Sequence, residues 1–213
     1  MVNLAGILIA FIIILISMVF HEFAHGVVAY WLGDDTAKEQ GRLTINPMKH
    51  LDPFLSVLLP LMLALSGGPI FGGARPVPVD SRNLKHGVWG MALVAIAGPL
   101  TNFLLAFVAF LIGWYTGSFT GGAGIWGEIL GDVVAINLGF GVFNLLPIPP
   151  LDGSRVLYAI APDGVREIMV RMENWGIIIV MLLIVFLPGF VSVIMGGAIS
   201  GILEAFYWIV GMR

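Results

Sequence analysis

The 213-residue chain has no cysteine, and only 11% of its residues are charged. The first absence removes disulfides, thiolate metal sites and cysteine nucleophiles together, so any bound metal must be held by His, Asp, Glu, Asn or carbonyl groups. The second sets the chain apart from soluble globular domains, in which about 25% of residues are charged. With 59% hydrophobic residues and a mean hydropathy of +1.00, it reads as an integral membrane protein. Lysine and arginine together number only 10 and are scattered over loops, and the net charge is −3, which argues against a nucleic-acid surface. No repeat or low-complexity tract interrupts the chain, so a single membrane domain is expected over residues 1–213.

What is there instead is a series of apolar segments: 4–32, 54–66, 88–115, 125–146, 175–187 and 190–210. The first lacks a basic leading region and a small-residue cleavage site, so it reads as a retained span rather than a signal peptide. Segment 54–66 is short and contains Pro60. As a helix it reaches about 20 Å, less than the roughly 30 Å hydrocarbon core. If it dips without crossing, every basic cluster falls on one side of the membrane, with the N-terminus outside. The expected fold is therefore an all-α polytopic membrane protein of five to six transmembrane helices with one short re-entrant segment. "GRLTINP" alternates like a strand and "ARPVPVD" spaces two prolines as an edge strand would, so a small membrane-associated β-hairpin or sheet is also expected.

Three ionisable residues sit within five positions in "VFHEFAHGVVAYW". Residues four apart share a helix face, so His21 and His25 can direct both imidazoles at one ion. Glu22, one step round the helix, is placed to act as a general base rather than a ligand, the arrangement of H-E-x-x-H. Charged groups at a span centre cost on the order of 2.5–3.5 kcal/mol by insertion scales, so they mark function by default. The extended metzincin motif is not completed, because Val28 and Trp31 stand where Gly and His would.

The third ligand must come from elsewhere, and His50, His86, Glu39, Glu128, Asp132, Asp152, Glu173 and Glu204 are the candidates. Asp152 has the most unusual setting, in "NLLPIPPLDG", where Pro147, Pro149 and Pro150 force irregular backbone at the end of a span. Irregular backbone at membrane depth survives only where it is buried in protein or lines a wet cavity. Asn144 could hydrogen-bond a substrate carbonyl or oxyanion, or satisfy carbonyls freed by the prolines. Asn102, in "AGPLTNF", could face the same cavity or join helices. Glu128 and Asp132 lie near the start of their helix, where acids complement the dipole.

The motifs "HEFAH", "AGPLTN" and "NLLPIPPLDG", in this order on separate helices, resemble the site-2 protease family of intramembrane zinc metalloproteases. The likeness to its small prokaryotic branch, without PDZ or CBS domains, extends from Phe20 to Leu157. It implies one Zn2+ held by His21, His25 and Asp152, with Glu22 activating water and Asn144 and Asn102 holding the peptide or the oxyanion. It further implies a multi-pass protein of a prokaryotic cell membrane that cleaves transmembrane segments of other proteins; the topology expected from the basic residues puts its site toward the cytoplasmic half. An extended substrate would pair with an exposed strand, for which the "GRLTINP" or "ARPVPVD" edge would serve. The rival class is a metal-ion transporter or metal-binding scaffold, which polar residues in broken helices also build.

Overall fold

The computed structural model describes residues 4–52, 58, 62, 75–119 and 124–211. Its elements, in chain order, are α1 (Leu4–Trp31), the short α2 (Thr36–Glu39), a 3-10 turn (Pro47–Lys49), α3 (Val88–Tyr115), α4 (Gly124–Asn144), α5 (Asp152–Ile160), α6 (Asp163–Glu173), α7 (Gly176–Phe186) and α8 (Pro188–Ile209). Four of them, α1, α3, α4 and α8, are long and apolar enough to cross a membrane. Their outward residues, Ile12, Leu104, Val193 and Trp208 among them, are exposed apolar side chains suited to lipid. A helix meets its backbone hydrogen bonds internally, which is what hydrocarbon requires.

α3 is the hub, packed against α1, α4 and α5. Its buried stripe is rich in small residues, Gly90, Ala92, Ala95, Gly98, Ala106, Ala109 and Gly113, which let neighbouring helices come close. Ala106, Ala109 and Phe110 of α3, Val134 and Leu138 of α4 and Phe206 of α8 form one buried apolar cluster. Phe110 meets Phe206 at 5.5 Å and the edge of Tyr207 at 5.0 Å between ring centroids. The Lys85 amide donates to the Leu32 carbonyl at 2.8 Å, setting the end of α1 beside the start of α3. α1 and α4 both terminate at that end of the bundle, where the polar connections gather.

The expected sheet is absent: among the described residues there is no strand. Residues 41–46 form a turn, a bend and irregular backbone, and 75–80 run without regular secondary structure. Pro76 and Pro78 bring no N–H, and those of Arg75, Val77 and Asp80 are claimed elsewhere. Arg75 donates to the His50 carbonyl at 2.8 Å, Val77 to Glu22 Oε2 at 2.8 Å and Asp80 to Asp34 Oδ2 at 2.7 Å. Arg42 Nη2 donates to the carbonyls of Arg75 at 2.7 Å and Pro76 at 3.3 Å. The segment is thus a strap tied by the carboxylates of Glu22 on α1 and of Asp34 just past it.

The span count also shifts. Apolar segment 175–187 becomes α7, 11 residues and about 16 Å long, too short to cross alone. It meets the charged, amphipathic α6 at an 85° bend, so among the described residues a fifth crossing exists only if that bent pair is one span. Segment 54–66, expected to re-enter, lies outside the described residues apart from Leu58 and Met62.

Asp34 anchors the strap just past α1. It is 1% exposed, and its carboxylate accepts from Thr36 N, Thr36 Oγ1, Asp80 N and Asn83 Nδ2. Burial pushes its pKa up, but the Thr36 hydroxyl, the Asn83 amide and the two backbone N–H groups outweigh this and hold it below the ordinary carboxylate value. Because the folded pKa is the lower one, the stabilisation is complete above the unfolded value of about 4 and is lost as pH falls below it. Asp34→Asn turns an NH2 toward donors that need an acceptor and is expected to cost about 2 kcal/mol. The check is a lower thermal midpoint in detergent at pH 7, with the gap to wild type narrowing below about pH 4.

Candidate metal centre

Three helices bring the centre together. α1 presents His21 and His25 four residues apart, α3 faces them with Gly98 and Asn102, and α5 begins with Asp152. Asp152 is held there because α5 packs on α3 and its first turn tucks against Leu145 and Leu146, just past the end of α4. A Cβ on Gly153 would run into the Leu145 carbonyl, so that close approach needs glycine.

The ligand-capable atoms of His21, His25 and Asp152 all lie within 4.8 Å of one another. His21 Nε2 stands 3.1 Å and His25 Nε2 3.4 Å from Asp152 Oδ2, and the two Nε2 atoms are 3.0 Å apart. Both Nδ1 atoms are engaged on the far side of their rings. His21 Nδ1 is 2.6 Å from Asn102 Oδ1, and His25 Nδ1 is 2.7 Å from the Val94 carbonyl. A carbonyl oxygen only accepts, so each Nδ1 carries the proton and each Nε2 of a neutral ring presents a lone pair. Two Nε2–H groups at 3.0 Å would instead set hydrogen against hydrogen. Asp152 Oδ2 is buried and has no hydrogen-bond partner. With both rings neutral, three electron-pair donors thus converge on one point, which is the donor set a cation requires.

Glu22 lies outside this cluster. Its Oε2 accepts the Val77 N–H from the strap. The Val77 side chain, 7% exposed, packs beside Gly26 one turn further along α1. The two asparagines differ in setting. Asn102 is fully buried with both polar atoms used: Oδ1 accepts from His21, and Nδ2 donates to Asn137 Oδ1 at 2.9 Å. It stands behind His21, on the Nδ1 side of the ring. Asn144 Nδ2 donates to the Phe140 carbonyl at 3.1 Å, four residues back in its own helix.

Two participants were not singled out from the sequence. The Val94 carbonyl is backbone and leaves no residue-type signal. Asn137 did leave one, a carboxamide in the middle of an apolar span, the same signal that picked out Asn102.

The arrangement defines a polytopic membrane protein with a buried two-histidine, one-carboxylate cluster on converging helices. The chain belongs to peptidase family M50, whose model matches residues 9–125 and 122–187, in agreement with the site-2 protease resemblance of its motifs. Among curated relatives, "Putative zinc metalloprotease YwhC" of Bacillus subtilis (strain 168) is 43% identical over 182 residues, 82% of this chain and 78% of the relative. "Putative zinc metalloprotease Rip2" of Mycolicibacterium smegmatis is 34% identical over 176 residues, 80% of this chain and 64% of the relative. "Putative zinc metalloprotease MJ0611" of Methanocaldococcus jannaschii is 47% identical over 66 residues, 30% of this chain and 31% of the relative. No solved structure matches the chain.

Proposed function

We propose that this protein is a zinc-dependent endopeptidase that hydrolyses peptide bonds within or beside the transmembrane segments of other membrane proteins, as in regulated intramembrane proteolysis. The observation that carries the reading is the convergence of His21 Nε2 and His25 Nε2, on the membrane helix α1, with the orphaned Asp152 Oδ2 at the start of α5. Two imidazoles and a carboxylate are a ligand set that catalytic zinc uses, with a fourth position left for water or substrate. One zinc ion held there would supply Lewis-acid polarisation and lower the pKa of a water molecule toward neutrality.

The chain's own residues do the rest. Glu22 takes a proton and returns it to the leaving amine; with Oε2 fixed by Val77, this work falls to its other oxygen. Asn102 keeps His21 oriented. Asn144, one residue before the turn that leads to Asp152, uses one amide hydrogen on Phe140 and offers the second to a substrate carbonyl. The partners are transmembrane substrates in a lipid bilayer. Orientation follows from charge: Lys38, Arg42, Lys49, Arg75, Arg82, Lys85, Arg155, Arg166 and Arg171 all belong to segments at the end where α1 and α4 terminate. By the positive-inside rule that end is cytoplasmic, the N-terminus is outside, and the cluster sits in the inner half of a prokaryotic cell membrane.

The test is zinc content of the purified protein beside Asp152→Ala, with cleavage of a generic membrane-helix substrate and zinc flux across liposomes measured in parallel. Zinc and cleavage in wild type, both lost in the variant, support the proposal. Zinc flux without cleavage would replace it with the transporter reading.

A further inference from the structure

The polar groups behind His21 form a directed chain that crosses three helices. It starts at the Val133 carbonyl in α4, which accepts from Asn137 Nδ2 at 2.9 Å. Asn137 Oδ1 accepts from Asn102 Nδ2 at 2.9 Å, and Asn102 Oδ1 faces His21 Nδ1 at 2.6 Å. Asn137 is 1% exposed and Asn102 is 0% exposed, so water does not compete for these groups.

A carboxamide alone has no preferred polarity, since its oxygen and nitrogen ends are almost the same shape. A backbone carbonyl removes the ambiguity because it has lone pairs and no hydrogen. Asn137 must therefore turn its NH2 to Val133 and its oxygen to Asn102. Asn102 must in turn present NH2 to Asn137 and oxygen to His21. That oxygen needs a proton on His21 Nδ1, which leaves the Nε2 lone pair for the cluster. His25 obtains the same result in one step from the Val94 carbonyl.

We infer that Asn137 is a positioning residue that fixes the tautomer of His21 through Asn102, although it touches neither the imidazole nor the ion. The use of that tautomer rests on the zinc reading above; the relay itself does not. Asn137→Leu, or the smaller Asn137→Ala, removes the link and frees Asn102 to turn over and offer NH2 to His21 Nδ1. Asn137→Thr retains the polarity, because a hydroxyl donates to the carbonyl four residues back and keeps a lone pair for Asn102.

The experiment is nitrogen-15 spectroscopy of histidine-labelled, metal-free protein in detergent at alkaline pH, with zinc affinity measured separately by chelator competition. In wild type and Asn137→Thr both His21 and His25 should be protonated at Nδ1. In Asn137→Leu and Asn137→Ala, His21 should shift partly to the Nε2–H form while His25 stays unchanged and reports intact packing. Zinc affinity should fall about tenfold, the lower end for loss of a partner that orients a metal-ligating histidine. An unchanged His21 tautomer in a folded Leu or Ala variant overturns the inference, even if zinc binding weakens. A wild type that binds no zinc removes the metal reading and leaves the tautomer result to judge the relay.

Discussion

Glu22→Gln is expected to leave zinc bound and to lower kcat/KM on a membrane-helix substrate by about 10²- to 10⁴-fold, the usual contribution of a positioned acid–base group. The substitution keeps size and shape. Its carboxamide oxygen still accepts the Val77 N–H that fixes Glu22 Oε2 at 2.8 Å, so the strap stays on α1. What is lost is an oxygen able to take up a proton and give it back. Glu22 is not among the three residues whose ligand atoms cluster, so the ion has no reason to leave. Metal analysis and initial rates on the same preparation separate the two effects. Full activity in a zinc-loaded variant would mean that another group handles the proton. Loss of zinc along with activity would mean that Glu22 belongs to the ligand set.

How much of this was legible in the sequence depends on the kind of signal each residue leaves. His21 and His25 stand out because helical spacing and an apolar surrounding are both one-dimensional properties. Asp152 stands out because three prolines announce broken backbone next to an acid at a span end. The structure brings these three together. The strap differs from the expected edge strand because proline spacing reports which N–H groups are missing, whereas pairing depends on where the remaining ones go. Those of residues 75, 77 and 80 go to His50, Glu22 and Asp34, partners 25 to 55 positions away. Apolar run length likewise made 175–187 a crossing, because the 85° bend between α6 and α7 has no signature in hydropathy. Asn102 leaves a signal as a carboxamide in an apolar span, but its hydrogen bond with Asn137 is a contact between helices that sequence spacing does not reveal.

Gly98→Ala should remove the metal without weakening the helix that carries it. A Cβ at position 98 would lie 2.5 Å from His25 Nε2 and 2.6 Å from both Nε2 and Cε1 of His21. The contact is with the very atoms that face Asp152, so the methyl group would compete with an ion for the same space. The imidazoles cannot simply retreat, since Asn102 and Val94 hold their Nδ1 sides. Helix propensity acts the other way, alanine being about 1 kcal/mol better than glycine in a helix interior. Zinc affinity is therefore expected to fall by about 100-fold or more, at or beyond the upper end for damage next to a metal-ligating histidine. Gly139→Ala is the matched control, because a Cβ there meets nothing within 4 Å, and it should keep wild-type zinc content. Chelator competition on both variants, with circular dichroism of the metal-free forms, checks the contrast. Equal zinc affinity in the two would show that the rings swing clear of α3 when the ion binds, and the role of Gly98 would then reduce to helix packing.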